Sequence, residues 1–165
     1  LPLSVIAGQA RWMDHIDGGP WQFGDDSAPQ VPTTFFAGTF CKHPLSLAAA
    51  QATLQHLKAQ GPDLQHTLNQ RTTDLVDRLN AFTTSAAMPV KFTQFGSFFA
   101  IALTQSQLPA AALTLISYHL LNQGIHLRGG DRGGFLSTAH TPDDIDRIYT
   151  AFCRALTALK ETNDV

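Results

Sequence analysis

The sequence predicts an α/β protein: a small α+β domain, with helices layered on a mostly antiparallel sheet, preceded by the edge of another domain. Three observations carry this. From Gly61 onward the hydrophobic period runs helix, strand, strand, helix, strand, strand, helix. Residues before His43 do not belong to that order and include a long Gly- and Pro-rich stretch. The composition is that of a globular chain, with 165 residues, 44% of them hydrophobic and only 15% charged.

Each element has a local reason. Leu3 to Ala7 is a short apolar run with Val5 and Ile6, closed by Gly8, and reads as a buried strand. A helical turn over Gln9 to Ile16 follows. From Asp17 to Pro32 three glycines and three prolines interrupt any period, so this is a long loop of the kind that carries function or moves. A helix starts at Pro44, where a missing N–H costs nothing, and Leu47, Ala50, Leu54 and Leu57 recur at helical spacing until Gly61. Pro62 opens a second helix with Leu64, Leu68, Leu75, Leu79 and Phe82 on one stripe. Val90 and Phe92, then Phe99, Ile101 and Leu103, alternate with polar or small residues on either side of Gly96, which predicts two strands and a hairpin. Pro109 to Asn122 is amphipathic and ends at Gly124. Ile125 to Leu127 and Phe135 to Ser137 read as short strands flanking a Gly-rich loop. The last helix has a cap at Thr141, proline at its first position, and Asp143 and Asp144 at its positive end. Its apolar face is Ile145, Ile148, Phe152, Leu156 and Leu159.

Charge and cysteine usage narrow the function. The formal net charge is −2, and the seven Arg and four Lys are scattered, which argues against a nucleic-acid or membrane-surface partner. Cys41 and Cys153 are too few for a disulfide framework and lack metal-ligand spacing, so a reducing, cytoplasmic setting is expected. No helical pair of histidines backed by a carboxylate is present, so no metal site is expected. No apolar run approaches the roughly 20 residues that span a bilayer, and no signal peptide is visible.

The most informative stretch is Thr33-Thr34-Phe35-Phe36-Ala37-Gly38-Thr39-Phe40-Cys41-Lys42-His43-Pro44-Leu45. It sets hydroxyls and small residues just ahead of a helix N-terminus, where free N–H groups and the helix dipole hold a phosphate and Thr39 adds a hydroxyl. An ordinary capped start of a helix explains the same residues. Arg128 and Arg132 flank Gly129-Gly130-Asp131, with Gly133-Gly134 after them. This cluster lacks the lysine and spacing of a nucleotide loop and reads as a hairpin turn, or as a loop whose arginine clamps a carboxylate. His140 suits acid–base chemistry or a structural place beside the helix cap, and His43 suits a cap on the preceding turn. Trp12, Trp21 and Phe23 line a substrate entrance or pack a core.

Three blocks resemble class III aminotransferases that use pyridoxal 5′-phosphate (PLP), in the branch of glutamate-1-semialdehyde 2,1-aminomutase. Gly38-Thr39 followed by Pro44-Leu45 and an Ala-rich helix resembles the family's G-T-x-x-x-x-P-L segment. Leu1-Pro2-Leu3-Ser4-Val5-Ile6-Ala7-Gly8 is similar to the strand after its cofactor-lysine motif. Phe135-Leu136-Ser137-Thr138-Ala139-His140-Thr141 with Asp143-Asp144-Ile145 resembles the segment before its last helix. The resemblance implies part of a fold-type I PLP-dependent transferase, from its C-terminal portion. Residues 1–43 would end the large PLP-binding domain and contain the phosphate turn, 44–60 would form a linking helix, and 61–165 the small α+β domain. It implies Gly38 and Thr39 as cofactor-binding residues, Thr39 acting on the PLP of the other subunit in a homodimer. Arg132, ahead of Arg128, would be the substrate-binding residue.

The stretch Thr34 to Cys41 with His43-Pro44-Leu45 looks closest to aminotransferase domains of hybrid polyketide–peptide synthases of the microcystin kind. That similarity implies a small amino donor and a carrier-protein-bound β-ketoacyl acceptor. An intramolecular amino shift and a non-catalytic interaction module that kept the fold are the alternatives.

One feature departs from the family. PLP chemistry needs a lysine amine, and the lysines here are Lys42, Lys58, Lys91 and Lys160. Lys42 lies in the phosphate turn, where the family does not place its Schiff-base lysine, and the others fall on predicted exposed faces or termini. The family's lysine is expected upstream of Leu1, the chain opening without Met as if cut and closing as if at a domain's edge. No catalytic residue is therefore expected within the chain, and the chain alone is expected to be inactive.

Overall fold

The computed structural model describes residues 4–127 and 133–162 and divides into two units, Leu1–Ala59 and Gln60–Val165. The second unit carries the core. Its elements are α3 (Pro62–Ser85), β1 (Phe92–Phe95), β2 (Phe98–Ile101), α4 (Ala110–Asn122), β3 (Gly133–Phe135) and α5 (Pro142–Glu161). The three strands form one antiparallel sheet in the order β1-β2-β3.

Period-2 alternation decides which face is covered. Phe92, Phe99 and Ile101 are buried on one face, with Phe92 edge-on to Phe152 of α5 at 5.3 Å and Phe99 at 6.2 Å from the same ring. Leu75 and Leu79 from α3, Ile116 and Leu120 from α4, and Ile148, Phe152, Leu156 and Leu159 from α5 complete this core. The opposite face is open: Phe95 and Phe135 are 89% and 68% exposed, and the Phe98 ring lies tilted against that of Phe135, centroids 4.8 Å apart. Polar ties pin the layers. Asn80 of α3 donates to the Phe92 carbonyl at 3.1 Å and accepts from its N–H at 2.8 Å, closing the edge of β1. Arg78 bridges α3 to α5, pairing with Asp146 at 2.7 Å and lying 4.3 Å above the Tyr149 ring.

Thr141 caps α5 as expected, Asp144 completes a reciprocal pair in which each side chain bonds the other's backbone N–H, and all five residues of the expected α5 face are buried. Two expectations for strands fail here. Ile125 to Leu127 is not a strand, and β3 is Gly133–Phe135 rather than Phe135 to Ser137. For β3 the reason is a close approach: a Cβ on Gly133 would lie 2.1 Å from the Phe99 carbonyl oxygen and 2.7 Å from the Ala100 Cβ. Only glycine lets the strand pair so tightly.

The first unit contains α1 (Ala10–Asp17) and all but the last residue of α2 (Pro44–Gln60), joined by an irregular segment. That segment folds back on α1. Gly18 ends the helix in the left-handed region at φ 98°, and its carbonyl accepts from Gln30 at 2.8 Å and Val31 at 3.2 Å. Thr34 donates to the His15 carbonyl at 2.7 Å, and the His15 ring bonds the Pro32 carbonyl at 2.8 Å. Trp21 donates its ring N–H to the Asp17 carbonyl at 2.6 Å, whereas Trp12 and Phe23 are exposed and pack no core. Residues 4–7 of the run expected as a buried strand are irregular, with Val5 77% and Ile6 61% exposed; Leu3 lies outside the described residues. A strand needs a neighbour for its backbone, and none pairs with this one among the described residues. Leu47, Leu54 and Leu57 of α2 are likewise exposed. No helix among the described residues is long and apolar enough to cross a membrane.

Candidate functional site

A hollow of about 690 Å³ in the first unit is walled by Ser4 and Ile6, by Met13 and Ile16 of α1, by the run from Phe36 to His43, and by Ser46 and Leu47. This run winds into α2 through two successive turns. Cys41 N–H donates to the Gly38 carbonyl at 2.9 Å, and His43 N–H to the Phe40 carbonyl at 3.2 Å. Lys42 between them takes a left-handed backbone, φ 60°. Leu47 N–H then closes on the His43 carbonyl at 3.0 Å.

The consequence is an excess of donors. The carbonyls of Gly38, Phe40 and His43 are engaged, while the N–H groups of Leu45 and Ser46 meet no backbone acceptor among the described residues. Pro44 has no N–H to satisfy, so the first turn of α2 presents those two groups and the positive end of its dipole. Thr39 stands exposed in the turn, Lys42 and His43 line the hollow, and among the described residues no carboxylate does. A Cβ on Gly38 would meet only the Cys41 Cβ, at 3.9 Å, so the glycine is not required by packing and leaves the backbone open to a ligand. One hydroxyl escaped the sequence reading. Ser46 is only 4% exposed, lines the hollow, and its Oγ has no hydrogen-bond partner. Nothing in the residue type marks it, because its state depends on the backbone of the turn before it.

The second unit has a smaller hollow, of about 400 Å³, beside β3 and the start of α5, where His126, His140, Asp144 and Arg147 reach its wall. His140 Nδ1 accepts from the Ser137 N–H at 3.0 Å and lies 3.0 Å from its hydroxyl, which ties it to the turn before α5 rather than leaving it free. The Thr141 N–H and hydroxyl hold the Asp144 carboxyl below the ordinary aspartate range. Burial pushes the Cys153 thiol up, and both cysteines are free. Arg128 and Arg132, expected to bind substrate, lie outside the described residues. Among the described residues no three His, Cys, Asp or Glu side chains gather to hold a metal ion.

A turn leading into a helix, followed in the chain by a helix-covered three-stranded antiparallel sheet, is a portion of the fold-type I fold of PLP-dependent transaminases. The likeness is direct: a transaminase with PLP bound superposes with a TM-score of 0.73 at 21% identity, over 96% of this chain. An omega-transaminase from Sphaerobacter thermophilus gives 0.71 at 25% identity over 93% of the chain. In sequence, the chain is 28% identical over 169 residues to a glutamate-1-semialdehyde 2,1-aminomutase of Syntrophus aciditrophicus, which covers 96% of it. No family model matches the chain. The chain spans about a third of each of these relatives, 36% of the aminomutase and 35% and 34% of the two transaminases.

Proposed function

We propose that this chain is part of a PLP-dependent enzyme that transfers an amino group to a keto or aldehyde acceptor, and that Gly38 and Thr39 bind the cofactor's phosphate. The observation that carries the reading is the donor-rich turn between Gly38 and Ser46, set in a transaminase fold. The residues suit the group: a phosphate dianion accepts hydrogen bonds only, and this turn offers the N–H groups of Leu45 and Ser46, the Thr39 hydroxyl and the α2 dipole. PLP, when bound, supplies an electron sink for the carbon that loses its proton.

The chain's own residues then hold and orient rather than react. Lys58 and Lys91 are exposed, and Lys160 donates to the Ala86 carbonyl. Lys42 stands in the proposed phosphate turn itself, where the resembling family does not place its Schiff-base lysine. The cofactor lysine is therefore assigned outside residues 1–165, and the chain by itself is inactive.

Arg132, with Arg128 second, binds the substrate by clamping a carboxylate with paired hydrogen bonds. The working enzyme is a homodimer in which Thr39 serves the partner's cofactor, and the exposed apolar side chains of the first unit support such a covered surface. The acceptor is a carrier-bound β-ketoacyl chain, on the resemblance of Thr34 to Leu45. The aminomutase relative favours a second reading, an intramolecular amino shift on a semialdehyde.

The test is borohydride reduction of the full-length protein in the presence of PLP, with the modified peptide mapped by mass spectrometry. An adduct on a lysine outside residues 1–165 is expected. An adduct on Lys42, or none, overturns the reading and leaves the chain a module that kept the fold alone.

A further inference from the structure

We propose that Ser46 supplies a second side-chain hydroxyl to the phosphate receptor, beside Thr39. The inference rests on the reading of the turn as a phosphate site. It starts from an anomaly: among the described residues, Ser46 Oγ is the one buried side-chain polar atom without a hydrogen-bond partner. Buried hydroxyls are paired as a rule, and an unpaired one calls for a missing partner.

The usual partner is closed to it. A hydroxyl inside a helix falls back on the carbonyl four residues earlier, as Thr53, Thr72, Thr73, Thr114 and Ser117 all do here, at 2.9 to 3.3 Å. For Ser46 that carbonyl belongs to Lys42, which precedes the helix and whose left-handed backbone departs from the helical path. The left-handed turn thus denies Ser46 the internal bond and leaves its hydroxyl to an outside acceptor.

The surroundings specify the acceptor as an anion. Ser46 offers its own N–H as well as its hydroxyl, Leu45 N–H is beside it, Lys42 and His43 share the wall of the hollow, and no described carboxylate does. One torsion, χ1, sets where the hydroxyl points. A phosphoryl oxygen accepting from Ser46 Oγ–H satisfies the atom with a charge-assisted bond, stronger than any neutral partner gives.

The experiment compares PLP with pyridoxal, which lacks the phosphate, by equilibrium binding to the full-length protein and its Ser46→Ala, Ser46→Thr and Thr39→Ala variants. Melting of each variant is followed without ligand. Losing one hydrogen bond to a charged group weakens binding about 10- to 100-fold. Ser46→Ala is expected to lose PLP affinity by that factor, leave pyridoxal affinity unchanged, and melt at the same or a higher temperature, because it deletes an unpaired hydroxyl. Ser46→Thr is expected to keep PLP affinity. If Ser46→Ala binds PLP like the parent while Thr39→Ala does not, the Ser46 proposal is overturned and the turn's assignment stands. Equal loss of PLP and pyridoxal with a lowered melting point also overturns it, making the hydroxyl structural. If Thr39→Ala too binds PLP unchanged, the phosphate reading of the whole turn fails.

Discussion

Thr141 and Asp144 fix the start of α5 by reciprocal bonds: the Thr141 hydroxyl accepts from the Asp144 N–H at 3.2 Å, and the Asp144 carboxylate accepts from the Thr141 N–H at 2.9 Å. Thr141→Ala removes the first of these, and a loss of about 1 kcal/mol is expected in urea unfolding. The carboxylate carries a pH signature. Its pKa is depressed in the folded state, chiefly by the Thr141 N–H and then by the hydroxyl. Stabilisation is therefore complete above the unfolded-state value of ~3.9 and is lost as pH falls through the lower folded value. Asp144→Asn is expected to flatten the acid limb of the stability profile below about pH 4 and leave its slope near neutrality unchanged; an identical acid limb would show that the carboxylate contributes nothing. This cap was legible because its whole signal lies within four adjacent residues. Ser46 was not, since its orphaned hydroxyl follows from the φ of Lys42, which no residue type there announces.

At the scale of elements, the same contrast separates helices from strands. The four long helices begin within a residue of where proline puts them, and α2, α4 and α5 end within a residue or two of where glycine or the apolar stripe does. The hairpin of β1 and β2 was legible from alternation about Gly96. β3 was not, because its residues Gly133 and Gly134 read as loop, glycine being a poor strand former. Pairing with Phe99 and Ala100 overrides that propensity, and the tightness of the pairing is what demands glycine. Gly133→Ala must push β3 off β2, since the obstructing atom is a backbone carbonyl that cannot rotate away. A destabilisation of about 1–3 kcal/mol is expected, read as a lower urea midpoint. A midpoint equal to that of the parent protein would mean that β3 contributes little to the fold.

Across the molecule, burial is lopsided. Every buried hydrophobic side chain among the described residues falls between Leu75 and Leu159, so the second unit holds the entire apolar core. In the first unit Val5, Ile6, Phe35, Leu45, Leu47 and Leu54 are exposed, and its order rests on turns and on the hydrogen bonds between α1 and the following loop. Surface hydrogen bonds add little net free energy, whereas each buried Leu or Phe side chain is worth roughly 1.5–3 kcal/mol. Sequence periodicity revealed the apolar stripe of α2 but not that it stays uncovered, because periodicity reports which face is apolar and not what lies against it. The two units should therefore separate in stability. Residues 60–165 expressed alone are expected to unfold in urea as one cooperative transition seen alike by far-UV circular dichroism and by fluorescence of Tyr118 and Tyr149. Residues 1–59 expressed alone are expected to show no such transition. Cooperative unfolding of 1–59 would mean that turns and local hydrogen bonds suffice to order the turn from Gly38 to Ser46. Its absence would mean that the Gly38 to Ser46 turn is ordered only when further protein covers the apolar side chains around it, which would tie the proposed cofactor binding to assembly with that protein.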